Sequence, residues 1–379
     1  MLPYLITFSI SILFTFFAQK NVNNRLIFFS CSVIAVLVPS LLAGLRDSGI
    51  GTDTKVYVDY IWADFKYITN WNQFYTMYQQ KQFNDIEPLY LCLNYIASLF
   101  GSKVNNIYFL SNLLTNLFIY LSAYDNRKKS SMTLFMFIYL FSYYNMSLNL
   151  VRQSLALSFC LYSFKYIEQK KWWKFIVMFI IINLAHNTGL FFVAFLILYI
   201  LFEYLKNNKS RKLILSFTTL CVVLGTVFID ITLTFFVGYG ILPSKFLIYN
   251  SLETAPLIKS VFINYIIYIF LFISFGVIIK QKDLKTEFAK YTYLKINGTL
   301  LFASTIISKW AFRISYYFNI ITDCIMLPRA LFFIKKRLPQ KYILILSATV
   351  ILILIIWYWT IIFNNGNQTY PYKSKILGI

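Results

Sequence analysis

Apolar runs of roughly 20 residues recur along the whole chain, and this pattern constrains the fold more than any other feature. A run of that length crosses the hydrocarbon core of a bilayer as one helix, whereas an outer-membrane barrel needs short alternating strands. Charged residues make up only 13% of the chain, about half of their share in soluble proteins. The sequence therefore predicts an all-α, polytopic helical membrane protein.

About 12 full spans and one shorter apolar segment are predicted. The spans cover residues 2–18, 26–44, 105–124, 131–146, 152–167, 172–187, 189–205, 212–229, 258–279, 292–308, 313–334 and 341–363. Residues 2–18 lack a basic n-region and a small-x-small cleavage site, so they are interpreted as a first span and not as a signal peptide. Segment 88–100 has 13 residues, too few to cross at about 1.5 Å per residue, and is predicted to be re-entrant or interfacial. No repeat or linker divides the chain, so residues 1–379 are assigned to one integral membrane domain.

The basic residues predict the orientation. The net charge is +21, but most lysines and arginines lie in short loops between the apolar runs, which is typical of the positive-inside rule and not of nucleic-acid binding. Six basic loops are predicted to face the cytoplasm: Lys20 with Arg25, and the clusters within 127–129, 165–174, 206–212, 280–295 and 335–341. Both termini, the polar segment 45–87 and the connection 230–257 then lie outside. If segment 88–100 spans fully, segment 45–87 lies in the cytoplasm instead.

The motifs of several enzyme classes are absent from the sequence. There is no P-loop, no HExxH and no Ser-centred nucleophile elbow. The five cysteines, at 31, 92, 160, 221 and 324, lie in apolar segments without CxxC spacing and are interpreted as small buried hydrophobes. The sequence thus predicts no metal site and no cofactor.

One polar stretch, Gly44 to Tyr57, leaves a long apolar helix and opens the longest hydrophilic segment. Its three glycines let the backbone approach a ligand, Arg46 offers a planar fork that suits phosphate, and Asp47 or Asp53 can accept a sugar hydroxyl or its proton. This combination predicts an anionic, hydroxyl-rich substrate. The alternative is an interfacial cap in which Arg46 snorkels and an aspartate caps the following helix.

The same segment contains Trp62, Trp71 and several tyrosines. Their rings either lie at the membrane interface or stack on the faces of sugars. The interfacial interpretation is favoured, because Trp and Tyr are generally enriched there.

Two ionisable residues lie at matched positions on neighbouring predicted spans. Arg152 is 13 residues before Lys165, and His186, the only histidine, is 12 residues after Lys174. The two helices share one basic inner loop, so both side chains should lie roughly 18–20 Å above it, within a core about 30 Å thick. An ionisable group at that depth is a functional candidate. The alternatives are a helix-end histidine bonded to backbone and an arginine that snorkels outward.

A second hairpin carries further candidates. Arg313 follows a predicted outer turn at 309–312 and is a candidate anion ligand. Asp323 lies deeper and requires a partner or a water path. The tail 367–373 is either an outer lid or a frayed terminus.

Taken in order, these residues resemble the EpsG family, Wzy-type polymerases of bacterial surface polysaccharides. The resemblance rests on Gly44-Leu45-Arg46-Asp47, Gly51-Thr52-Asp53, Tyr57, Glu87-Pro88-Leu89-Tyr90, Val151-Arg152-Gln153, Ala185-His186, Arg313 and Tyr370-Pro371-Tyr372. Each motif is short, so the specificity comes from their order and spacing over nearly the whole chain. The resemblance implies a multi-span glycosyltransferase of the bacterial cytoplasmic (inner) membrane with an outward-facing site.

The resemblance also implies the reaction and its residues. A growing glycan would move from undecaprenyl pyrophosphate onto the next lipid-linked repeat unit, with membrane lipid and other polysaccharide-assembly proteins as expected partners. The family's site residues correspond here to arginines Arg46, Arg152 and Arg313, aspartates Asp47 and Asp53, and His186; Tyr57 and Gln153, in the same motifs, are expected to contact substrate. The arginines would neutralise the departing pyrophosphate, and a base would take the acceptor's proton.

His186 and the aspartates compete for the role of base. The arginines nearby weaken a carboxylate as a base, whereas the same positive field keeps a histidine neutral and able to accept a proton. This argument favours His186 as the base and gives Asp47 and Asp53 an orienting or structural role.

Other functions fit the residues less completely. An O-antigen-ligase-like enzyme or an O-acyltransferase would also use a histidine, but an acyltransferase does not explain three outer arginines. A flippase for the same lipid suits a basic cavity, yet transporters commonly show repeated halves and paired helix breaks, which this sequence lacks. A membrane scaffold without chemistry leaves the intramembrane His186 unexplained.

The predicted topology can be tested by cysteine labelling in intact cells. With the native cysteines removed, Ser48→Cys and Thr69→Cys should react with a membrane-impermeant reagent before permeabilisation, because segment 45–87 lies outside. Protection of both positions until the membrane is opened would show that segment 88–100 spans and that the orientation is reversed.

Overall fold

A computed structural model describes residues 1–80, 83, 86–205, 210–240, 247, 259–278 and 282–379. Over these residues all regular structure is helical, so the all-α prediction is confirmed. Most of the predicted connection 230–257 lies outside the described residues, as do Lys206, Lys209 and Lys280 of the predicted basic loops. The first part of that connection is helical, because the preceding helix continues to Gly238.

Helices alternate with short turns along the described chain. They are α1 (Leu2–Lys20), α2 (Arg25–Leu45), α3 (Asp59–Phe65), α4 (Trp71–Gln79), α5 (Pro88–Ser98), α6 (Asn105–Asn126), α7 (Met132–Ser142), α8 (Tyr144–Asn149), α9 (Val151–Glu168), α10 (Trp172–Ala185), α11 (Phe192–Tyr204), α12 (Arg211–Gly238), α13 (Lys259–Ile278), α14 (Lys282–Ala303), α15 (Lys309–Ile321), α16 (Leu327–Arg337) and α17 (Pro339–Trp357). Single π-helical turns occur at Thr54–Val58, Thr322–Met326 and Tyr358–Phe363, and 3-10 turns at Asn187–Phe191, Ser304–Ile306 and Gly366–Gln368.

Six described helical segments are long and apolar enough to cross a membrane. They are Leu2–Lys20, Arg25–Leu45, Asn105–Asn126, Asn187–Tyr204, Trp310–Arg337 and Pro339–Phe363. The total of 12 spans and the outside position of both termini stay predictions. Helix α5 has 11 residues and is therefore only about 16 Å long, which agrees with the interpretation of segment 88–100 as too short to span.

The chain divides into two compact units, which are described separately. The first contains Met1–Gly189 with Ser347–Ile379, and the second contains Leu190–Leu346. The assignment of the whole chain to one membrane domain stays a prediction.

In the first unit, helices α1, α2, α6, α7 and α9 pack side by side. Small and polar residues join them: the Ser11 hydroxyl donates to the Ala35 carbonyl at 2.7 Å, and the Asn116 amide donates to Ser40 Oγ at 3.0 Å. The Tyr139 hydroxyl donates in turn to the Asn116 carbonyl oxygen at 3.0 Å. Such contacts are typical of membrane helices, because burial of apolar surface does not drive their association in lipid.

The polar segment 45–87 folds into short helices that pack on α5. The Trp62 indole N–H donates to the Ser102 carbonyl at 2.9 Å, and the Ser98 hydroxyl donates to the Ile68 carbonyl at 3.0 Å. The Asn70 side chain caps the start of α4. Over its described residues, the segment that follows α2 is thus a helical layer packed on α5.

In the second unit, the structure corrects the position of two lysines. The predicted basic loop 280–295 includes Lys290 and Lys295, but both residues lie on α14 and are buried. Lys295 Nζ donates to the Asp323 carboxylate and, at 2.9 Å, to Asn319 Oδ1, while the Tyr265 ring lies 3.9 Å away. The prediction of a loop at Lys295 is wrong because its partner is Asp323, an acid on another helical segment. A local count of charges does not reveal such a partner. The pair also supplies the partner that Asp323 requires.

Breaking this buried pair should destabilise the protein more than removing it whole. Lys295→Met or Asp323→Leu alone leaves an uncompensated buried charge and should lower the free energy of unfolding by about 3–5 kcal/mol. The double variant should recover much of that loss, measured by unfolding of the detergent-solubilised protein. Lys129→Met removes an exposed pair with Glu168 and should change stability by less than about 1 kcal/mol. A double variant as unstable as the sum of the singles would contradict the pairing.

Candidate functional site

The Glu87 carboxylate is the centre of the candidate site in the first unit. It is only 3% exposed. Its Oε2 accepts from Arg152 Nη1 at 2.7 Å, and its Oε1 lies 2.7 Å from His186 Nδ1. Oε1 also accepts the Asn187 backbone N–H at 3.2 Å. One buried acid therefore joins the two residues that the sequence places at matched heights.

Local sequence explains how the three side chains meet. Pro88 restricts Glu87 to an extended conformation (φ −66°, ψ 136°) and begins α5. His186 follows the last residue of α10 and is also extended (φ −162°, ψ 130°), so its side chain leaves the helix direction. Arg152 is the second residue of α9. The cluster thus forms where three helices begin or end.

The turn after His186 depends on a glycine. The Gly189 N–H donates to the His186 carbonyl at 2.8 Å. A Cβ at this position would lie 2.4 Å from Ile182 Cγ2. The absence of a side chain at Gly189 lets the chain fold back tightly against α10 and keeps His186 at the corner.

Arg152 and His186 determine the ionisation of Glu87. Burial alone would raise the pKa of its carboxyl, but the hydrogen bond from His186 and the charges of His186 and Arg152 outweigh burial. Together they hold the pKa of Glu87 well below its usual range. Glu87 is therefore an ionised acceptor near neutral pH and is not available as a general acid.

An ionised Glu87 also selects the tautomer of His186. A carboxylate can only accept, so the Nδ1 atom must carry the proton of this hydrogen bond. In the neutral ring the basic nitrogen is then Nε2. A histidine held in this way by a carboxylate is suited to take a proton from a hydroxyl group.

Tyr57 and Gln153, which the sequence predicts to contact substrate, are close to Arg152 in space and along the chain, respectively. The Tyr57 ring is 5.5 Å from the Arg152 guanidinium carbon, and the Tyr90 ring is 5.9 Å from it. Gln153, the next residue along α9, is buried. Aromatic rings near the guanidinium stabilise its positive charge.

Tyr57 is positioned by the turn that precedes it. The Asp53 backbone N–H donates to Asn149 Oδ1 at 2.9 Å, and the Thr54 hydroxyl donates to the Leu148 carbonyl at 2.8 Å. Gly51 has φ +86°, and a Cβ there would lie 2.9 Å from the Leu148 oxygen. Glycine is therefore required where this turn contacts the corner before α9. Asp53 contributes through its backbone to the position of Tyr57.

Arg46 is buried instead of snorkelling. It is 1% exposed, and its guanidinium carbon lies 4.4 Å from the Tyr108 ring. Nε, Nη1 and Nη2 have no hydrogen-bond acceptor among the described residues. The structure thus places this predicted pyrophosphate ligand in the interior, and its contact with substrate stays a prediction.

The C-terminal tail is bonded to the same region. The Asp47 backbone N–H donates to the Lys373 carbonyl at 3.0 Å, and Asp47 Oδ1 accepts the Lys375 N–H at 2.8 Å. The Tyr372 hydroxyl donates to the Leu42 carbonyl at 2.8 Å. The tail is therefore an ordered cover on the end of α2, and the interpretation as a frayed terminus is wrong.

Arg313 lies in the second unit. It is half-buried on the first turns of α15, near Tyr316. Its role as an anion ligand stays a prediction.

Glu87 is the residue that sequence reasoning left without a role. In the sequence it is part of a short motif, and it is an acid directly before a proline at the start of an apolar segment. An ionisable group in such a position needs a partner, which is the signal that could have found it.

Comparisons with known proteins identify one family for the chain. The family model described as EpsG family matches residues 27–374. No curated protein and no solved structure matches the chain.

The contribution of Glu87 to the stability of the protein should be present near neutral pH and lost in acid. Its pKa is lowered on folding, so the contribution is complete above the unfolded value near 4.5 and is lost as the pH falls toward the folded value. Glu87→Gln should therefore lower the free energy of unfolding by about 3–5 kcal/mol at pH 7. The difference in the free energy of unfolding between wild type and Glu87→Gln should become smaller below about pH 4.

A control acid separates this effect from a general loss of charge. Glu168 pairs with exposed Lys129 at 3.5 Å, so Glu168→Gln should cost less than about 1 kcal/mol. Equal stability of wild type and Glu87→Gln at pH 7 would contradict the structural role of the cluster.

Proposed function

The chain belongs to the EpsG family, and on that premise we propose that it is a polysaccharide repeat-unit polymerase. It is a membrane glycosyltransferase that moves glycan from an undecaprenyl-pyrophosphate donor onto a lipid-linked acceptor. The reaction takes place on the outer face of the bacterial cytoplasmic membrane. The observation that carries the proposal is the cluster in which Glu87 holds Arg152 and His186 together.

His186 acts as the base in this proposal. Its Nε2 takes the proton of the acceptor hydroxyl as the oxygen attacks the anomeric carbon of the donor sugar. The bond from that carbon to the pyrophosphate oxygen breaks, and its electron pair remains on the pyrophosphate. The proton then leaves His186 for solvent, and lipid pyrophosphate is the second product.

Arg152 stabilises the charge that develops on the leaving group. Its guanidinium has five N–H donors, and Nη1 contacts Glu87. In this proposal the positive charge of the guanidinium also serves a pyrophosphate oxygen. Tyr57 and Gln153, beside Arg152, complete the substrate contacts in this proposal.

Glu87 is a positioning residue and does not touch the reacting atoms. It orients the His186 ring through Nδ1 and fixes Arg152 beside it, as a carboxylate does in a catalytic triad. Asp47 Oδ1 accepts a backbone N–H of the tail, and the Asp53 backbone N–H bonds to Asn149 before α9. In this proposal both aspartates have an orienting or structural role.

The direct test is incubation of the purified protein with a defined lipid-linked repeat unit in the absence of nucleotide. A polymerase should yield longer lipid-linked glycans and free lipid pyrophosphate. A flippase would instead move the lipid from one leaflet of a vesicle membrane to the other without lengthening its glycan. Transbilayer movement without any lengthening would therefore overturn the proposal.

The choice of base predicts a pH dependence. Wild type should lose rate in acid as the imidazole gains a proton, and this acidic limb should be absent from His186→Gln. The substitution should also lower the rate by about 10²–10⁴. Asp53→Asn should keep the limb and most of the rate. If His186→Gln keeps both while Asp53→Asn loses them, an aspartate is the base.

A further inference from the structure

A cavity of about 400 Å³ lies beside the site in the first unit. Tyr75, Tyr78 and Gln79 of α4 line one side. Ile86, Pro88 and Leu91 line the other, at the start of α5. The volume is within the range of about 300–1,000 Å³ that is usual for small-molecule sites.

The packing of α4 explains which side chains face the cavity. Phe74 is buried, and its ring stacks on Tyr95 with centroids 5.0 Å apart. Tyr75, Tyr78 and Gln79 have the spacing i, i+3, i+4, so they share a face of the helix. Tyr75 and Tyr78 remain 49% and 50% exposed. Two half-exposed rings and one amide thus line a cavity on a helix anchored by Phe74.

The chemistry of this lining suits a sugar. The face of an aromatic ring carries partial negative charge and attracts the C–H face of a pyranose, which is also apolar. The Gln79 amide and the two phenols offer donors and acceptors for hydroxyl groups. A polyprenyl chain, in contrast, offers those polar groups no hydrogen-bond partner.

The cavity is adjacent to the catalytic cluster along the chain. Ile86 and Pro88 both line it, and Glu87 stands between them with its carboxylate bonded to Arg152 and His186. The lining of the cavity therefore includes the residues on either side of the carboxylate that holds Arg152 and His186.

We propose that this cavity is a saccharide subsite that binds a pyranose ring of the glycan next to the sugar that reacts. The inference rests on the proposed function, because that function supplies the glycan. The tyrosine rings stack on the sugar face, and Gln79 binds a hydroxyl. The site holds the glycan in register with His186 while the lipid carrier remains in the bilayer.

Direct binding tests the proposal without relying on activity. Saturation-transfer NMR on the full chain in detergent would use a panel of glucose, galactose, mannose and N-acetylglucosamine. Wild type should transfer saturation to at least one of them, and Tyr75→Ala with Tyr78→Ala should abolish the transfer. Tyr75→Phe with Tyr78→Phe keeps both rings and should retain it. Tyr60→Ala, which removes a 72% exposed tyrosine outside the cavity, is the matched control and should also retain it.

Competition distinguishes a sugar from a lipid. Undecaprenyl phosphate, which has no sugar, should leave the transfer unchanged. Displacement of the sugar by this lipid would assign the cavity to the polyprenyl chain and overturn the proposal. Transfer that is equal in wild type and the double Ala variant, or no transfer in wild type, would overturn it as well and leave interfacial anchoring as the role of the tyrosines.

Kinetics separates failure of the subsite from failure of the proposed function. With lipid-linked repeat units, the double Ala variant should raise KM about three- to tenfold and leave kcat nearly unchanged. Unaltered KM alongside normal polymerisation would overturn the subsite and leave the function standing. Sugar binding that depends on Tyr75 and Tyr78 in a protein that lengthens no glycan would overturn the function alone.

Discussion

A buried carboxylate that must be compensated is the constraint on which the first unit depends. Glu87 cannot remain ionised in the interior unless positive charge or N–H donors approach it, and Arg152 and His186 do so at 2.7 Å each. Meeting that requirement brings the start of α5, the start of α9 and the end of α10 to one point. The same contacts give the imidazole a defined tautomer, so the electrostatic requirement of folding also leaves Nε2 as its basic nitrogen, as the proposed function requires.

The second unit contains a buried pair with a different character. Lys295 and Asp323 are both fully buried, and their contacts join α14 to the π-helical turn before α16. In the Glu87 cluster the arginine and histidine side chains retain 17% and 10% exposure. A closed pair is suited to holding helices together, whereas a partly open one can reach a substrate. Exposure, and not charge alone, therefore distinguishes the structural pair from the candidate site.

Around the cluster, backbone hydrogen bonds position the aromatic residues. The turn at Gly51 contacts the corner before α9 and brings Tyr57 to Arg152, while the tail is bonded to Asp47 at the end of α2. These contacts involve backbone groups and small residues. The motifs that share this region therefore shape the course of the chain through these hydrogen bonds.

The sequence by itself determined the helical class, because the length of an apolar run is a local property. At a rise of about 1.5 Å per residue, runs of this length cross a bilayer as helices. The same arithmetic placed Arg152 and His186 at equal heights, and both meet one carboxylate. Tertiary structure alone decided which acid joins them, that Lys295 is interior, and that Arg46 is enclosed by tyrosine instead of reaching the surface. Those outcomes depend on partners from distant parts of the chain, and the periodicity of one helix carries no information about what packs against it.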